Sequence, residues 1–317
     1  MTQPAILPGA FESRLSAPCS RLARAICKVN FLQTKQGEIG GHVFPRIQRG
    51  PRRTRLIEHP FNEEQTQAIL SACKRNGVSV NNALFALCNI AWSRTCSNTN
   101  SKKLPMYVMS IIEFQHARIT GTYRMMYSAI NVRPYLAPVP ICPSTYWFLA
   151  LTYFTVVLPS FFPPCQGIFW HRARLAKSQT TKYVKSPFLA SRALSMAAQR
   201  GGTRTSISTT IPESESYPQL PPDSRTTTPS PSHALLGLSL IGNLDHIYTP
   251  TSYAHPSVRL HSVTTASRQK EGGILLLEHT FAGRLWLHLC WDEMGFEEGV
   301  VETWWSEVVS GVGEFLK

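Results

Sequence analysis

The stretch Pro134–Trp170 constrains this chain more than any other. It holds no Asp, Glu, Lys or Arg, and Trp147–Leu158 within it is almost wholly apolar. Such a run has two destinations, a protein core or a lipid bilayer. Prolines at 134, 138, 140, 143, 159, 163 and 164 argue against the second. The longest proline-free piece, Ser144–Leu158, is 15 residues, whereas a spanning helix needs about 20. A transmembrane span is not expected. The reading is a buried core segment, with a membrane-docking loop as its rival.

A core is affordable at this size. The chain has 317 residues with a hydrophobic fraction of 43%, enough for one large domain or two ordinary ones and too apolar for disorder throughout. Its formal charge of +13 is segregated. Residues 1–60 hold ten Lys/Arg against three Asp/Glu, residues 166–206 hold eight bases and no acid, and residues 271–317 hold nine acids against two bases. The basic portions suit nucleic acid, an anionic membrane or a phosphate-bearing cofactor, and charge alone does not choose. No aromatic–basic RNA signature accompanies them, so a nucleic-acid partner is not expected. The eight cysteines form no C-x-x-C and no zinc spacing, so no metal is expected. Residues 1–20 lack the apolar core of a signal peptide, and reduced thiols in the cytoplasm are the expectation.

Along the chain, residues 1–55 read as a weakly structured basic segment, with breakers from Gly37 to Pro51 and the basic run Arg49–Arg55. Order is expected from Leu56 to Lys317. Asn62 with Gln65 makes a capping box, Gly77 a helix stop, and Ser79 the cap of a second helix. Met106–Ile112 and Met126–Val132 read as strands. Phe169–Gln199 reads as a basic helical region broken at Ser186-Pro187. Twenty of the 33 residues in 201–233 are Ser, Thr or Pro, which predicts a disordered insertion. Strands are expected at Ala234–Leu240 and Val258–Thr264, then a hairpin of Gly273–Phe281 and Arg284–Trp291 about Ala282-Gly283. Val301, Trp304, Trp305, Val308, Val309, Val312 and Phe315 recur at helical spacing. Gly299, Gly311 and Gly313 each weaken that helix by about 1 kcal/mol relative to Ala, so docking must hold it. The pattern predicts an α/β fold, a two-layer sandwich of helices on a largely antiparallel or mixed sheet.

Several chemistries are missing. Gly237-Leu-Ser-Leu-Ile-Gly242 is one residue too long for a nucleophile elbow. No Walker loop and no G-x-G-x-x-G occurs, which disfavours nucleoside triphosphates and Rossmann cofactors.

A set of phrases remains: Phe61-Asn-Glu-Glu-Gln-Thr-Gln-Ala-Ile-Leu, Gly77-Val-Ser-Val-Asn-Asn-Ala-Leu-Phe-Ala-Leu, Asn131-Val-Arg-Pro134, Leu240-Ile-Gly-Asn-Leu-Asp245 and Thr280-Phe-Ala-Gly-Arg-Leu-Trp. In this order, from Leu56 to Lys317, they resemble the C-terminal half of fungal CoA-dependent acyltransferases. Those belong to the superfamily of chloramphenicol acetyltransferase, alcohol acetyltransferases and peptide-synthetase condensation domains. The resemblance implies one lobe of a two-lobed fold with a tunnel between lobes. Acyl-CoA would be the co-substrate, with no tightly bound cofactor and an alcohol or amine as acceptor, in a secondary-metabolism setting. It also implies an H-x-x-x-D histidine, in the family's N-terminal half, as general base. Residues 1–56 contain no such motif. The expectation is therefore a truncated or degenerate protein without independent activity. The rivals are an enzyme completed by another chain or missing exon, and a non-catalytic interaction or membrane-surface protein. Loss of a lobe would expose an apolar interface and invite self-association.

The one literal match is His288-Leu-Cys-Trp-Asp292. It falls in a predicted strand, where four residues separate the two side chains by about 13 Å. A half-exposed strand histidine beside a loop acid is the expected outcome, so no catalytic residue is assigned beyond these two weak candidates. Asn243 and Asp245 sit where the resemblance implies a substrate tunnel, and a turn-forming role competes on equal terms. The basic stretch His171–Lys185 would meet a CoA phosphate or form a solvated helix face.

Overall fold

A computed structural model describes residues 10–16, 18–38, 44, 47–98, 123–137, 149–160, 165–208, 236–249 and 260–317. The elements, in chain order, are α1 (Arg21–Gln36), β1 (Thr54–Pro60), α2 (Glu63–Arg75), α3 (Val80–Asn98), β2 (Tyr123–Asn131), β3 (Leu151–Pro159), α4 (Gln166–Val184), α5 (Leu189–Ser208), β4 (Leu236–Asn243), β5 (Ile274–Phe281), β6 (Arg284–Asp292) and α6 (Val300–Phe315). The chain divides into two compact units. One comprises Met1–Gly37, Ile130–Tyr153 and Lys185–Ser232, and the other Glu38–Ala129, Phe154–Val184 and His233–Lys317.

The six strands form a mixed sheet in the order β1-β6-β5-β4-β2-β3. Its centre is the β5–β6 hairpin, and the local reason is Ala282-Gly283. Both residues have positive φ, 51° and 71°, the backbone twist that a two-residue hairpin turn requires. The turn fixes the register, with Phe281 opposite Arg284 and His279 opposite Trp286. β1 adds antiparallel to β6, β4 parallel to β5, and β2 parallel to β4. One face of the hairpin is largely apolar, with Glu278 buried in it opposite Leu287. Ile274, Leu276, Leu285, Leu287, Leu289 and Trp291 on it are all buried.

The helices follow their caps. Asn62 Oδ1 accepts from the Gln65 N–H at 2.8 Å while Gln65 Oε1 accepts from the Asn62 N–H at 3.0 Å, the reciprocal box expected from the sequence. The Ser79 hydroxyl accepts from the Asn82 N–H and donates to Asn82 Oδ1, opening α3. Leu84, Phe85, Leu87, Ile90, Ala91 and Trp92 are buried on every side of α3, as a helix at the centre of a helical layer must be. It packs against α2, α4 and α6.

The uncharged stretch supplies β3. Thr152, Phe154, Val156 and Leu158 alternate inward along it, so the core reading holds over these residues. Pro134–Trp170 otherwise lies partly outside the described residues. β3 is an edge strand, and Gln179 of α4 covers part of that edge. Its amide oxygen accepts from the Val157 N–H at 2.9 Å and its amide nitrogen donates to the Val157 carbonyl at 2.8 Å. The side chain thus imitates a neighbouring strand. Among the described residues no helix is long and apolar enough to cross a membrane.

Three expectations change. Residues 1–55 are not uniformly weak, because α1 occupies Arg21–Gln36. The breakers that suggested weakness begin at Gly37, and Ser20 caps the helix by accepting from the Ala23 N–H. Helix α5 continues to Ser208, eight residues into the Ser/Thr/Pro-rich stretch; the rest of that stretch lies outside the described residues. Leu260–Thr264 is not a strand. Its continuation hydrogen-bonds to sheet side chains rather than to a neighbouring backbone, as set out below. The expected strand Met106–Ile112 lies outside the described residues.

Candidate functional site

The second face of the β5–β6 hairpin is where polar chemistry collects. The register places Glu58 beside His288 and His279 beside Trp286. His279 and His288 are both 0% exposed, and their rings lie nearly parallel with centroids 5.1 Å apart. Trp286 stacks on both, at 6.4 and 6.3 Å. His288 Nε2 lies 3.4 Å from Glu58 Oε2, and its Nδ1 lies 3.4 Å from the Thr265 hydroxyl.

A strap of irregular chain, Leu260–Lys270, lies along this face through side-chain contacts. Thr264 donates to Glu58, the Ser267 N–H to Cys290 Sγ, and the Gln269 N–H to the Thr54 hydroxyl. Within the described part of the segment expected as a strand, Thr264 reaches the sheet through its hydroxyl. Just beyond it, the Ser267 and Gln269 N–H groups go to sheet side chains rather than to a backbone ladder.

Burial sets the electrostatics. It pushes the His279 pKa down to about 4, helped by the neighbouring charge on His288 and opposed weakly by the Val263 backbone. Burial also lowers His288, with Glu58 pulling the other way. Both rings are therefore neutral at neutral pH. The order Thr265–His288–Glu58 is hydroxyl, imidazole, carboxylate, but both contacts are long for hydrogen bonds. The histidine at their centre has no exposed surface on which to meet a substrate.

The pH consequence can be measured. A histidine whose folded pKa lies below its unfolded value binds fewer protons folded than unfolded, so its contribution to stability falls on acidification. For His279 the window runs from 6.5 down to about 4, and the full effect is roughly 3 kcal/mol. His279→Phe keeps an aromatic ring against Trp286 and removes the titration. Between pH 6.5 and pH 4 the variant should gain stability on acidification relative to the parent, whose other buried groups keep their own pH dependence. The same pH dependence of the denaturant midpoint in both proteins would mean that His279 is solvated and the cluster open.

The residues singled out from sequence fare differently. His288 and Asp292 lie on one face of β6, and the strand stays paired through Cys290 on both sides, so the two are not brought together. His288 is fully buried rather than half-exposed, a correction that the overlying strap explains. Asp292 is spent on structure. Its Oδ1 accepts from the Arg53 N–H at 3.1 Å and its Oδ2 from the Gly272 N–H at 3.0 Å. Asn243 Oδ1 accepts from the Asp245 N–H at 2.8 Å, and Asp245 Oδ1 from the Ala282 N–H at 2.7 Å. Both carbonyl-bearing side chains thus brace turns, the second beneath the hairpin itself. In His171–Lys185, His171, Arg174, Lys177 and Lys182 are exposed on α4, and Lys177 donates to the Gly77 carbonyl at 2.6 Å.

Glu58, Thr265 and His279 were not anticipated. The hairpin turn carried the signal for His279, because a two-residue turn at Ala282-Gly283 fixes its place beside Trp286 and diagonal to His288. Nothing local announced Glu58 or Thr265, which arrive from other segments.

A separate cavity of about 420 Å³ opens near the end of β6, lined by Gln48, Gly50, Arg52, Arg268, Glu271, Asp292 and Met294. It contains no histidine, and its charges are mixed. Three of the four arginines in the run Arg49–Arg55 are committed elsewhere. Arg49 donates to the Phe296 and Glu293 carbonyls, while Arg53 and Arg55 both hold the Glu293 carboxylate and lower its pKa. Among the described residues no group of three His, Cys, Asp or Glu could hold a metal ion.

No protein-family model and no curated protein matches the chain. Solved structures do. A trichothecene 15-O-acetyltransferase from Fusarium sporotrichioides superposes with a TM-score of 0.63 at 12% identity, covering 95% of this chain and 55% of that one. A nonribosomal peptide synthetase superposes with a TM-score of 0.51 at 11% identity, covering 92% of this chain and 26% of that one. This chain thus spans about half the length of the acetyltransferase. At these identities the likeness is one of fold. By fold, the chain is an α/β protein similar to that acetyltransferase.

Proposed function

We propose that this chain is an acyltransferase-like protein that does not transfer acyl groups by itself. General-base catalysis needs a base within hydrogen-bond reach of the acceptor and contributes typically about 10²–10⁴-fold. One observation supports the reading. In the chain's sole H-x-x-x-D, His288 has no exposed surface and Asp292 has both oxygens taken by backbone N–H groups. Neither side chain is placed to receive a proton from an alcohol or amine. The cavity beside Asp292 offers no imidazole in their stead.

An acyl-CoA donor and an alcohol or amine acceptor are the substrates such a fold would share with a complementing histidine-bearing segment. The test is release of free CoA thiol when the purified chain is incubated with acetyl-CoA and a panel of alcohols and amines. No release above the uncatalysed background is expected. A rate that disappears in His288→Ala would overturn the proposal and would require the strap over His288 to open during turnover.

A further inference from the structure

Helix α1 has an unusual division of its faces. Cys27, Asn30, Phe31 and Thr34 turn inward. Asn30 Oδ1 accepts from Arg192 Nε of α5 at 2.9 Å, and the two helices pack together. The opposite side is apolar and in solvent. Leu22 is 71% exposed, Ile26 48%, Val29 53% and Leu32 49%. Their spacing of four, three and three residues lines them along one stripe, with exposed Ala25 inside it. Exposed Arg21, Arg24 and Lys28 run along one flank, and the helix contains no acid.

Scattered exposed apolar residues need no explanation, but a continuous stripe does. In α1 the inward face already supplies the docking to α5, so the outward stripe is not needed for folding. Its flank selects the occupant. Three adjacent cations without a compensating acid repel a basic partner and attract an anionic one. An apolar stripe bordered by cations is the form of a helix lying in the interface of a bilayer, its side chains among the acyl chains and its charges at the headgroups. We propose that α1 is a docking surface for an anionic lipid bilayer. This inference does not depend on whether the chain transfers acyl groups.

The test is flotation of the full-length protein with vesicles of phosphatidylcholine containing phosphatidylglycerol, and with vesicles of phosphatidylcholine alone. The parent should float with the first and largely remain behind with the second. Ile26→Gln with Val29→Gln removes apolar area without changing charge and should weaken anionic-vesicle binding roughly tenfold or more. Replacing Arg21, Arg24 and Lys28 together by Ser should weaken it comparably and abolish its salt dependence. These positions are exposed, so far-UV circular dichroism should report an unchanged fold. Failure of the parent to float, or undiminished binding by the Gln variant, would overturn the proposal. So would concentration-dependent dimers in sedimentation that the Gln variant abolishes, because the stripe would then be covered by a second copy.

Discussion

Trp304→Ala is expected to destabilise the protein by about 3–5 kcal/mol, the usual cost of deleting a fully buried large aromatic side chain. Trp304 is 0% exposed. Its indole N–H donates to the Cys88 carbonyl of α3 at 3.3 Å, and Phe44 meets its ring edge-on. Removing it leaves both a cavity and a lost hydrogen bond at the α3–α6 contact. That contact is close elsewhere, since a Cβ on Gly311 would sit 2.9 Å from Leu87 Cδ2. At its far end Arg94 of α3 pairs with Glu314 at 2.8 Å, beside Phe169 of α4 stacked on Phe315. Trp305, at 9% exposure, should cost less. Glu302→Ala is the control and should stay within about 0.5 kcal/mol of the parent. Urea midpoints at a common slope would measure all three. A Trp304→Ala midpoint matching that of Glu302→Ala would mean that α6 is not held by this contact.

Glu278→Gln should remove a pH dependence of about 3 kcal/mol. Glu278 is 3% exposed, and burial raises its pKa from 4.5 to about 7, against a Gly242 N–H that lowers it. The folded state therefore holds a proton that the unfolded state has lost over this interval. The contribution is complete below 4.5 and disappears as the pH rises through 7. His279 slopes the opposite way between 6.5 and about 4, so the two groups offset each other in the parent between 4.5 and 6.5. Glu278→Gln should abolish the loss of stability between pH 6.5 and pH 8.5 and should expose the histidine slope on acidification. The readout is the difference between pH values within each protein, which cancels any constant cost of the amide. A parent profile that is flat to pH 8.5, or a variant with the parent's slope, would show that water reaches Glu278 in the folded state.

Much of the local structure was legible because its causes are local. Asn62 and Gln65 cap α2 through bonds that span three residues. Ala282-Gly283 turns the hairpin because two consecutive positive φ angles suit only a few residue pairs. The stripe from Val301 to Phe315 became α6 with its apolar side chains inward. The failures also have causes. α1 was hidden because breakers after Gln36 coloured the whole N-terminal segment. Val258–Thr264 carries strand-forming residues, but local composition cannot tell a strand from a strap. That choice depends on whether sheet side chains or a sheet edge are there to take its hydrogen bonds.

The candidate site divides the same way. By itself the sequence determined that His288 and Asp292 lie too far apart on one strand, because strand rise is a covalent property of extended chain. It also determined that Asn243 and Asp245 fall at a strand end suited to turns. Only the tertiary structure decided that His288 is sealed from solvent, since that depends on Thr265 and its neighbours crossing the sheet from 23 residues away. Only it brought Glu58 to His288, through the pairing of β1 with β6. It gave Gly311 a purpose as well. The residue that weakens α6 as an isolated helix lets Leu87 of α3 approach. Propensity is a property of a residue and its near neighbours, whereas burial belongs to whatever the rest of the chain places on top.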